Sequence, residues 1–199
     1  MSPPIDLNDP IAVLLAASEA VASAGVEAAA YGGLALAVYG EPRETRDADL
    51  ALSIAATSTC LNALRSAGLD GTVSFDGVTF GGHSVARIAI VGGDDATGLN
   101  TVDLVTPLSA RYARAALARA VRGALRGRPI AVLSPEDFVI FKLLSTRERD
   151  LDDAATVLRS RAEQLDGELV RGEIAQLVPE TPEHDLAGRF ARWQAMRSG

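Results

Sequence analysis

The chain has 199 residues, 48% of them hydrophobic, and a formal net charge of −7. This is enough apolar sequence to bury a core, which excludes wholesale disorder, and the acidic balance argues against a general nucleic-acid coat protein. A single cysteine, Cys60, excludes an internal disulfide framework, no uncharged apolar run reaches the length of a membrane span, and MSPPIDLNDP lacks the character of a secretory leader, so the expectation is a cytoplasmic protein with no membrane partner.

Asp9-Pro10 has the form of an N-cap followed by proline at the first helical position, and predicts a helix through IAVLLAASEAVASAG that stops at Gly25. VEAAAYG reads as a short strand running into the pair Gly32-Gly33. LALAVYG reads as a short buried helix closed by Gly40, EPRETR as a loop, and DADLALSI as a strand. TSTCLNALRSAG predicts a helix with a hydroxyl cap and a glycine end. GTVSFDGVTFGG alternates about Asp76-Gly77, a hairpin signal. SVARIAIV and LNTVDLVT are two further strands. The stretch from Ser109 begins as a helix, and GALRGRPIAVLS returns as an extended segment or second hairpin. From Pro135 onward the pattern is helical: PEDFVIFKLLSTR, RDLDDAATVLRSRAEQL, GELVRGEIAQLV and EHDLAGRFARWQAMR, with Phe190 and Trp193 anchoring the last helix. The fold class expected is α/β (α+β), with a mixed domain over 1–133 and a helical domain over 134–199.

Within DADLALSI, side chains alternate faces, so Asp47 and Asp49 share one face while Ala48, Leu50 and Leu52 share the other. Two like charges roughly 7 Å apart in an apolar strand are costly through desolvation and repulsion. A divalent cation reverses that sign. In LNTVDLVT, Asp103 points away from Val102 and Leu104, and if this strand neighbours the first, three carboxylates converge. Hard oxygen ligands of this kind suit Mg²⁺ or Mn²⁺, and a pair of such ions can clamp the attacking and leaving oxygens of a phosphoryl transfer. Glycine at 32 and 33 lets backbone amides approach a phosphate. The reading requires Asp103 to face as Asp47 and Asp49 do, with no arginine filling the space between them.

No acidic residue lies between Asp103 and Glu136, yet Arg111, Arg114, Arg119, Arg122, Arg126 and Arg128 all do. Such a tract either follows a nucleic-acid backbone, with Arg111, Arg114 and Arg122 as RNA contacts, or is a solvated face paired with acids from elsewhere. His83 and His184 stand at no metal-ligand spacing and read as ordinary surface or loop residues.

GGLALAVYGEPRETRDADLAL resembles the signature of the nucleotidyltransferase (polymerase-beta-like) superfamily: a glycine turn, a short helix, then D-x-D on a strand. Its R-x-T-x-D-x-D form, together with VLSPEDFVIFKLLSTRERDLDDAATVL, is similar to the AbiEii/MenT group of toxin-type nucleotidyltransferases. The resemblance spans most of residues 27 to 158 and implies a mixed sheet flanked by helices. It implies a catalytic set of Asp47, Asp49, Asp103 and Lys142: the first three hold metal, Asp103 serves also as a base, and Lys142 reaches the triphosphate. Gly32 and Gly33 would hold the triphosphate too, with Asp150 or Asp153 lining the nucleotide pocket. From the residues alone, Lys142, the chain's single lysine, reads equally as a helix lysine with its head in water, and Asp150 and Asp153 as complements to a helix dipole. Position 33 is often serine in the wider superfamily; with Gly33 a hydroxyl contact to phosphate is absent.

The activity so implied is transfer of a nucleoside monophosphate from an NTP to an acceptor, RNA at a tRNA 3′ end, by the toxin of a toxin–antitoxin pair. The alternatives are transfer to a protein hydroxyl or a small molecule such as an aminoglycoside, and a non-catalytic regulatory protein of the same fold. The resemblance also raises an antitoxin partner acting as a kinase on Thr45, against the plainer reading of Thr45 as a loop residue capping its own backbone.

Overall fold

The structure, a computed structural model, describes residues 5–39, 42–92, 98–161 and 163–197. Helix α1 (Pro10–Ser23) begins at the predicted cap: Asp9 Oδ1 accepts from the amides of Ile11 and Ala12 at 3.1 and 3.2 Å. Strand β1 (Ala28–Tyr31) runs directly into α2 (Gly32–Leu36) and one 3-10 turn, Ala37–Tyr39. Gly40, the expected stop, lies outside the described residues. There follow β2 (Ala48–Leu52), α3 (Thr57–Ser66), β3 (Gly71–Phe80), β4 (His83–Val91), β5 (Leu99–Pro107), α4 (Ala110–Ala118), β6 (Val121–Leu125) and β7 (Arg128–Val132). Four helices complete the chain: α5 (Pro135–Leu144), α6 (Glu148–Arg161), α7 (Gly167–Glu180) and α8 (Leu186–Arg197).

Two local expectations are corrected. Asp76-Gly77 is not a hairpin turn. Strand β3 continues through it with register shifts against β4, and Gly77, at φ +65°, serves a bulge; the turn comes at Gly81-Gly82. A glycine of positive φ suits either device, so the alternation around it did not decide between them. Nor does a hydroxyl cap α3. Its N-cap is Ala56, and Thr57 Oγ1 instead donates to Asp76 Oδ1 at 2.7 Å, tying the helix to the bulge.

The strands form one mixed sheet in the order β3-β4-β5-β2-β1-β7-β6. Strand β2 pairs parallel with β5 and β1 parallel with β7; the remaining pairs are antiparallel. Ala48, Leu50 and Leu52 of β2, Val102 and Leu104 of β5, and Ile88 and Ile90 of β4 are fully buried on the face covered by α1. The alternate positions put Asp49, Asp103 and Arg87 on the opposite face. Helix α5 lies on that side, with Phe138 and Phe141 packed on Tyr31 at ring distances of 5.6 and 5.2 Å. The predicted boundary at 133/134 coincides with the change from strand to helix, but buried residues from Leu7 to Trp193 form one continuous core across it.

The last helix is fastened by polar as well as apolar contacts. Trp193 is buried, stacks on Phe190, and donates from Nε1 to Ala154 O at 3.3 Å. Arg189, 4% exposed, closes the end of α5: its Nε donates to Leu143 O at 3.1 Å and its Nη2 to Lys142 O and Arg147 O at 3.4 and 2.9 Å. A cation on these terminal carbonyls satisfies groups the helix cannot. Replacing Arg189 with Met should therefore cost about 2 to 3 kcal/mol and lower Tm by roughly 5 to 10 °C. Arg192→Met, which loses only an exposed pair with Glu148, should shift Tm by no more than about 2 °C. Equal shifts for the two variants in a calorimetric scan would contradict this account of Arg189.

Candidate active site

The site begins with strand register. Parallel pairing of β2 with β5 sets Asp49 opposite Asp103, and the antiparallel neighbours set Tyr31 opposite Asp49 and Arg87 opposite Asp103. A single row across the sheet thus reads Tyr31, Asp49, Asp103, Arg87. Adjacent strands are about 4.8 Å apart, so the two aspartates are close like charges on one face. Asp47 stands just ahead of β2, where its Oδ1 accepts from Thr101 Oγ1 at 2.9 Å.

The glycine pair is explained by close packing. Gly32 has a φ of +70°, and a Cβ there would lie 1.9 Å from Asp49 Oδ2, so only glycine lets this carboxylate rest on the start of α2. At Gly33 a Cβ would come within 2.9 Å of both Arg43 Nη2 and Thr45 Cβ. The serine common at that position would displace the 42–47 loop, which here folds over the glycine. Arg43 then reaches α6, donating from Nη2 to Asp153 Oδ2 at 3.3 Å.

Tyr31, the glycine pair, Arg43, Thr45 and the three aspartates line a cleft together with His83, Val85, Lys142, Ser145, Arg147, Arg149 and Asp150. Its free volume of about 80 Å³ accommodates a few waters or ions, so any larger ligand must extend into the open mouth. Asp49 has no hydrogen-bond partner among the described residues. Burial, and then the charge of Asp103, push its carboxyl up to about 7. Asp103 is served differently. Arg87 Nε donates to its Oδ1 at 2.6 Å and Nη2 to its Oδ2 at 2.7 Å, while Nη2 lies 3.8 Å from Asp47 Oδ2. The structure therefore meets one requirement of the carboxylate reading, a shared face, and not the other, since an arginine stands between Asp103 and Asp47. Among the described residues no three His, Cys, Asp or Glu side chains close into an ion-sized group. The donor chemistry nonetheless fits a divalent cation: hard carboxylate oxygens from neighbouring strands, with Asp49 lacking a hydrogen-bond partner among the described residues and Arg87 the one guanidinium against Asp103 and Asp47.

Lys142 lines the cleft beside the aspartates, and its head does not snorkel to water. It is 4% exposed, with Nζ held by Asp150 Oδ1 at 2.6 Å and Asp153 Oδ2 at 2.9 Å, 4.9 Å above the Tyr31 ring. Burial opposes its charge, but Tyr31 and the two aspartates outweigh that and hold the pKa above the ordinary lysine value. Asp150 also accepts from Ser145 Oγ. Of this pair Asp150 lines the cleft, and Asp153 lies behind it as the partner of Lys142 and Arg43. The free cations at the mouth are Arg147 and Arg149, both exposed and without an ion pair among the described residues. They sit in STRERD, immediately before Asp150, where the sequence reading attended only to the aspartates.

The reading of His83 as an ordinary surface or loop residue is also corrected, while His184 does lie in the loop between α7 and α8. His83 is 3% exposed at the start of β4, its Nε2 has no hydrogen-bond partner among the described residues, and burial pushes its pKa down to about 3, so the ring is neutral. His184 is half-buried and its Nε2 meets Leu143 O at 2.8 Å.

The arginine tract is mostly exposed, but four of its six arginines are paired with acids from elsewhere in the chain. Arg119 binds the fully buried Asp137 through Nε and Nη2 at 2.9 and 2.7 Å and also reaches Glu173. Arg111 pairs with Glu173 and Glu180, Arg126 with Asp9, and Arg128 with Glu19. Arg114 and Arg122 are exposed and carry no ion pair among the described residues. Arg111 thus bridges α4 and α7. Thr45 is half-buried against Gly33 at the edge of the cleft.

A folded-state pKa raised above the ordinary value makes Asp49 a source of pH dependence. Below about pH 4 the carboxyl is protonated in both folded and unfolded chains; between about 4 and 7 the folded chain holds more protons, so stability falls as pH rises. In EDTA at pH 8, Asp49→Asn should be more stable than wild type by on the order of 2 kcal/mol, and the gap should close by pH 4. Denaturant melts across that range check this; a gap independent of pH would count against the assignment.

No family model matches this chain, and no curated protein does. Solved structures do. The chain is similar to an antigenic nucleotidyltransferase-like protein from Paracoccidioides brasiliensis (20% identity, covering 94% of each chain, TM-score 0.48). It is also similar to ANT(2'')-Ia in complex with adenylyl-2''-tobramycin (15% identity, covering 92% of this chain and 98% of that one, TM-score 0.51). The solution structure of the antibiotic-resistance factor ANT(2'')-Ia gives 16% identity, coverage of 86% and 97%, and a TM-score of 0.52. At these identities the likeness is one of architecture, and the chain has a nucleotidyltransferase-like fold.

Proposed function

We propose that the protein transfers a nucleoside monophosphate from an NTP to a hydroxyl-bearing acceptor, with a divalent cation held by Asp47, Asp49 and Asp103. The observation that carries this reading is the in-register pair Asp49 and Asp103 on one face, beside Gly32 and at the floor of a cleft rimmed by arginines. In the reaction the acceptor oxygen attacks the α-phosphorus, the bond to the bridging oxygen breaks, pyrophosphate leaves, and the acceptor proton passes to a base. The bound cation would neutralise charge on the phosphates as it develops. Both oxygens of Asp103 are engaged by Arg87, so Asp103 serves as that base only once the fork has opened. Arg147 and Arg149 at the mouth take the triphosphate role first assigned to Lys142, which instead fixes α6 beneath the cleft through Asp150 and Asp153.

For the acceptor, a small hydroxylated molecule is favoured over RNA. Four of the six arginines in the acid-free tract are paired with acids, which leaves a thin cationic surface for a nucleic-acid backbone. The architectural likeness to ANT(2'')-Ia, one structure of which is a complex with adenylyl-2''-tobramycin, points the same way. Transfer to a tRNA 3′ end by a toxin-type enzyme, with Thr45 under an antitoxin's control, is the second reading, carried by Arg114 and Arg122.

Incubation with α-labelled NTPs and Mg²⁺, with an aminoglycoside panel in one arm and total tRNA in the other, separates these. Label is expected on the small acceptor, with losses of about 100-fold or more for Asp47→Ala and Asp49→Ala. Label on tRNA alone would reverse the choice of acceptor. Absence of transfer to any acceptor, alike for wild type and Asp47→Ala, would remove the enzymatic reading.

A further inference from the structure

We propose that Arg87 is a resident counter-ion of the carboxylate cleft, and that a divalent cation enters by displacing its guanidinium from Asp103. The inference rests on the reading of Asp47, Asp49 and Asp103 as cation ligands and adds a residue that competes for one of them. Arg87 projects from β4, whose pairing with β5 sets it directly opposite Asp103. The bond is the planar fork that matches a carboxylate, Nε to Oδ1 at 2.6 Å and Nη2 to Oδ2 at 2.7 Å, so both oxygens of Asp103 are used. The same Nη2 lies 3.8 Å from Asp47 Oδ2, which makes one guanidinium the bridge between two of the three carboxylates.

Charge in the cleft is then unevenly distributed. Lys142 is consumed by Asp150 and Asp153, Arg43 leans on Asp153, and Asp49 is left without a hydrogen-bond partner among the described residues. A cation placed against Asp49 and Asp103 would share with Arg87 an oxygen that the guanidinium now holds, and would bring a second positive charge against it. Charge repulsion therefore sets fork and ion in competition at Asp103, and whatever free energy the fork loses is subtracted from that of ion binding. The guanidinium has somewhere to go: the Arg87 side chain is 31% exposed and already lies 5.9 Å from the Phe75 ring on the outer strand. A buried arginine packed on all sides would be a fixed structural partner; this one is part-exposed.

Mn²⁺ binding to the full-length chain, stripped with EDTA and followed by the loss of the free-ion EPR signal without nucleotide, tests the exchange. Arg87→Gln should bind Mn²⁺ about tenfold or more tightly than wild type, and Arg87→Lys, which keeps the charge but loses the fork, should fall between them. Without metal, Arg87→Gln should melt below wild type, and Mn²⁺ should restore more of its Tm than it adds to wild type. A variant that binds Mn²⁺ no more tightly than wild type, while wild type does bind, overturns the role of Arg87 and leaves the proposed function standing. No Mn²⁺ binding at millimolar concentration by either protein overturns both. Should Arg87→Gln fail to fold, Arg87→Lys carries the comparison alone, and equal affinity for it and wild type overturns the exchange.

Discussion

The parallel pairing of β2 with β5 is the constraint on which the rest of the site depends. It aligns Asp49 with Asp103 on one face of a sheet whose other face is largely apolar. At an effective dielectric of 20, two carboxylates some 5 Å apart repel by about 3 kcal/mol, before any cost of burial. The neighbouring elements answer this cost. Arg87 neutralises Asp103 from β4, Thr101 holds Asp47, and Gly32 gives up a side chain so that Asp49 can rest against backbone. What these contacts leave over is one carboxylate without a partner, poised near neutral pH. A cleft that stores repulsion in this way is stabilised by whatever brings positive charge into it.

A second polar layer lies beneath the first and connects it to the helices. Lys142 on α5 holds Asp150 and Asp153 on α6, Asp153 holds Arg43 from the loop over Gly33, and Arg189 on α8 caps the end of α5 next to Lys142. The helices therefore do more than cover the sheet. They fix the floor and the mouth of the cleft relative to the aspartates, and one continuous core makes that fixing rigid.

Much of the element order was legible because local signals agreed: Asp9 before Pro10, alternation through β4 and β5, and proline after Ser134 at the start of α5. The aspartates were legible because a charge inside an apolar strand needs a reason. Their partners were not. Arg87 sits in SVARIAIV with the parity of a residue facing the site, but only the sheet order reveals that it faces Asp103. Lys142 shows one residue type and no hint that two aspartates from the next helix close over it. The arginine tract left two readings open for the same cause: it is free of acids along the chain, while Glu173, Glu180, Asp137, Asp9 and Glu19 reach it through space. His83 was missed because a lone histidine carries no spacing to read; its place at the cleft wall is a product of the β3–β4 turn.

The most direct test of the central claim is a crystal structure with MnCl₂ and a non-hydrolysable NTP, read by anomalous scattering. The account predicts a manganese peak between the carboxylates of Asp49 and Asp103, with the Arg87 fork open. A cleft that shows no peak, with Arg87 still bidentate on Asp103 and the nucleotide bound elsewhere, would contradict it.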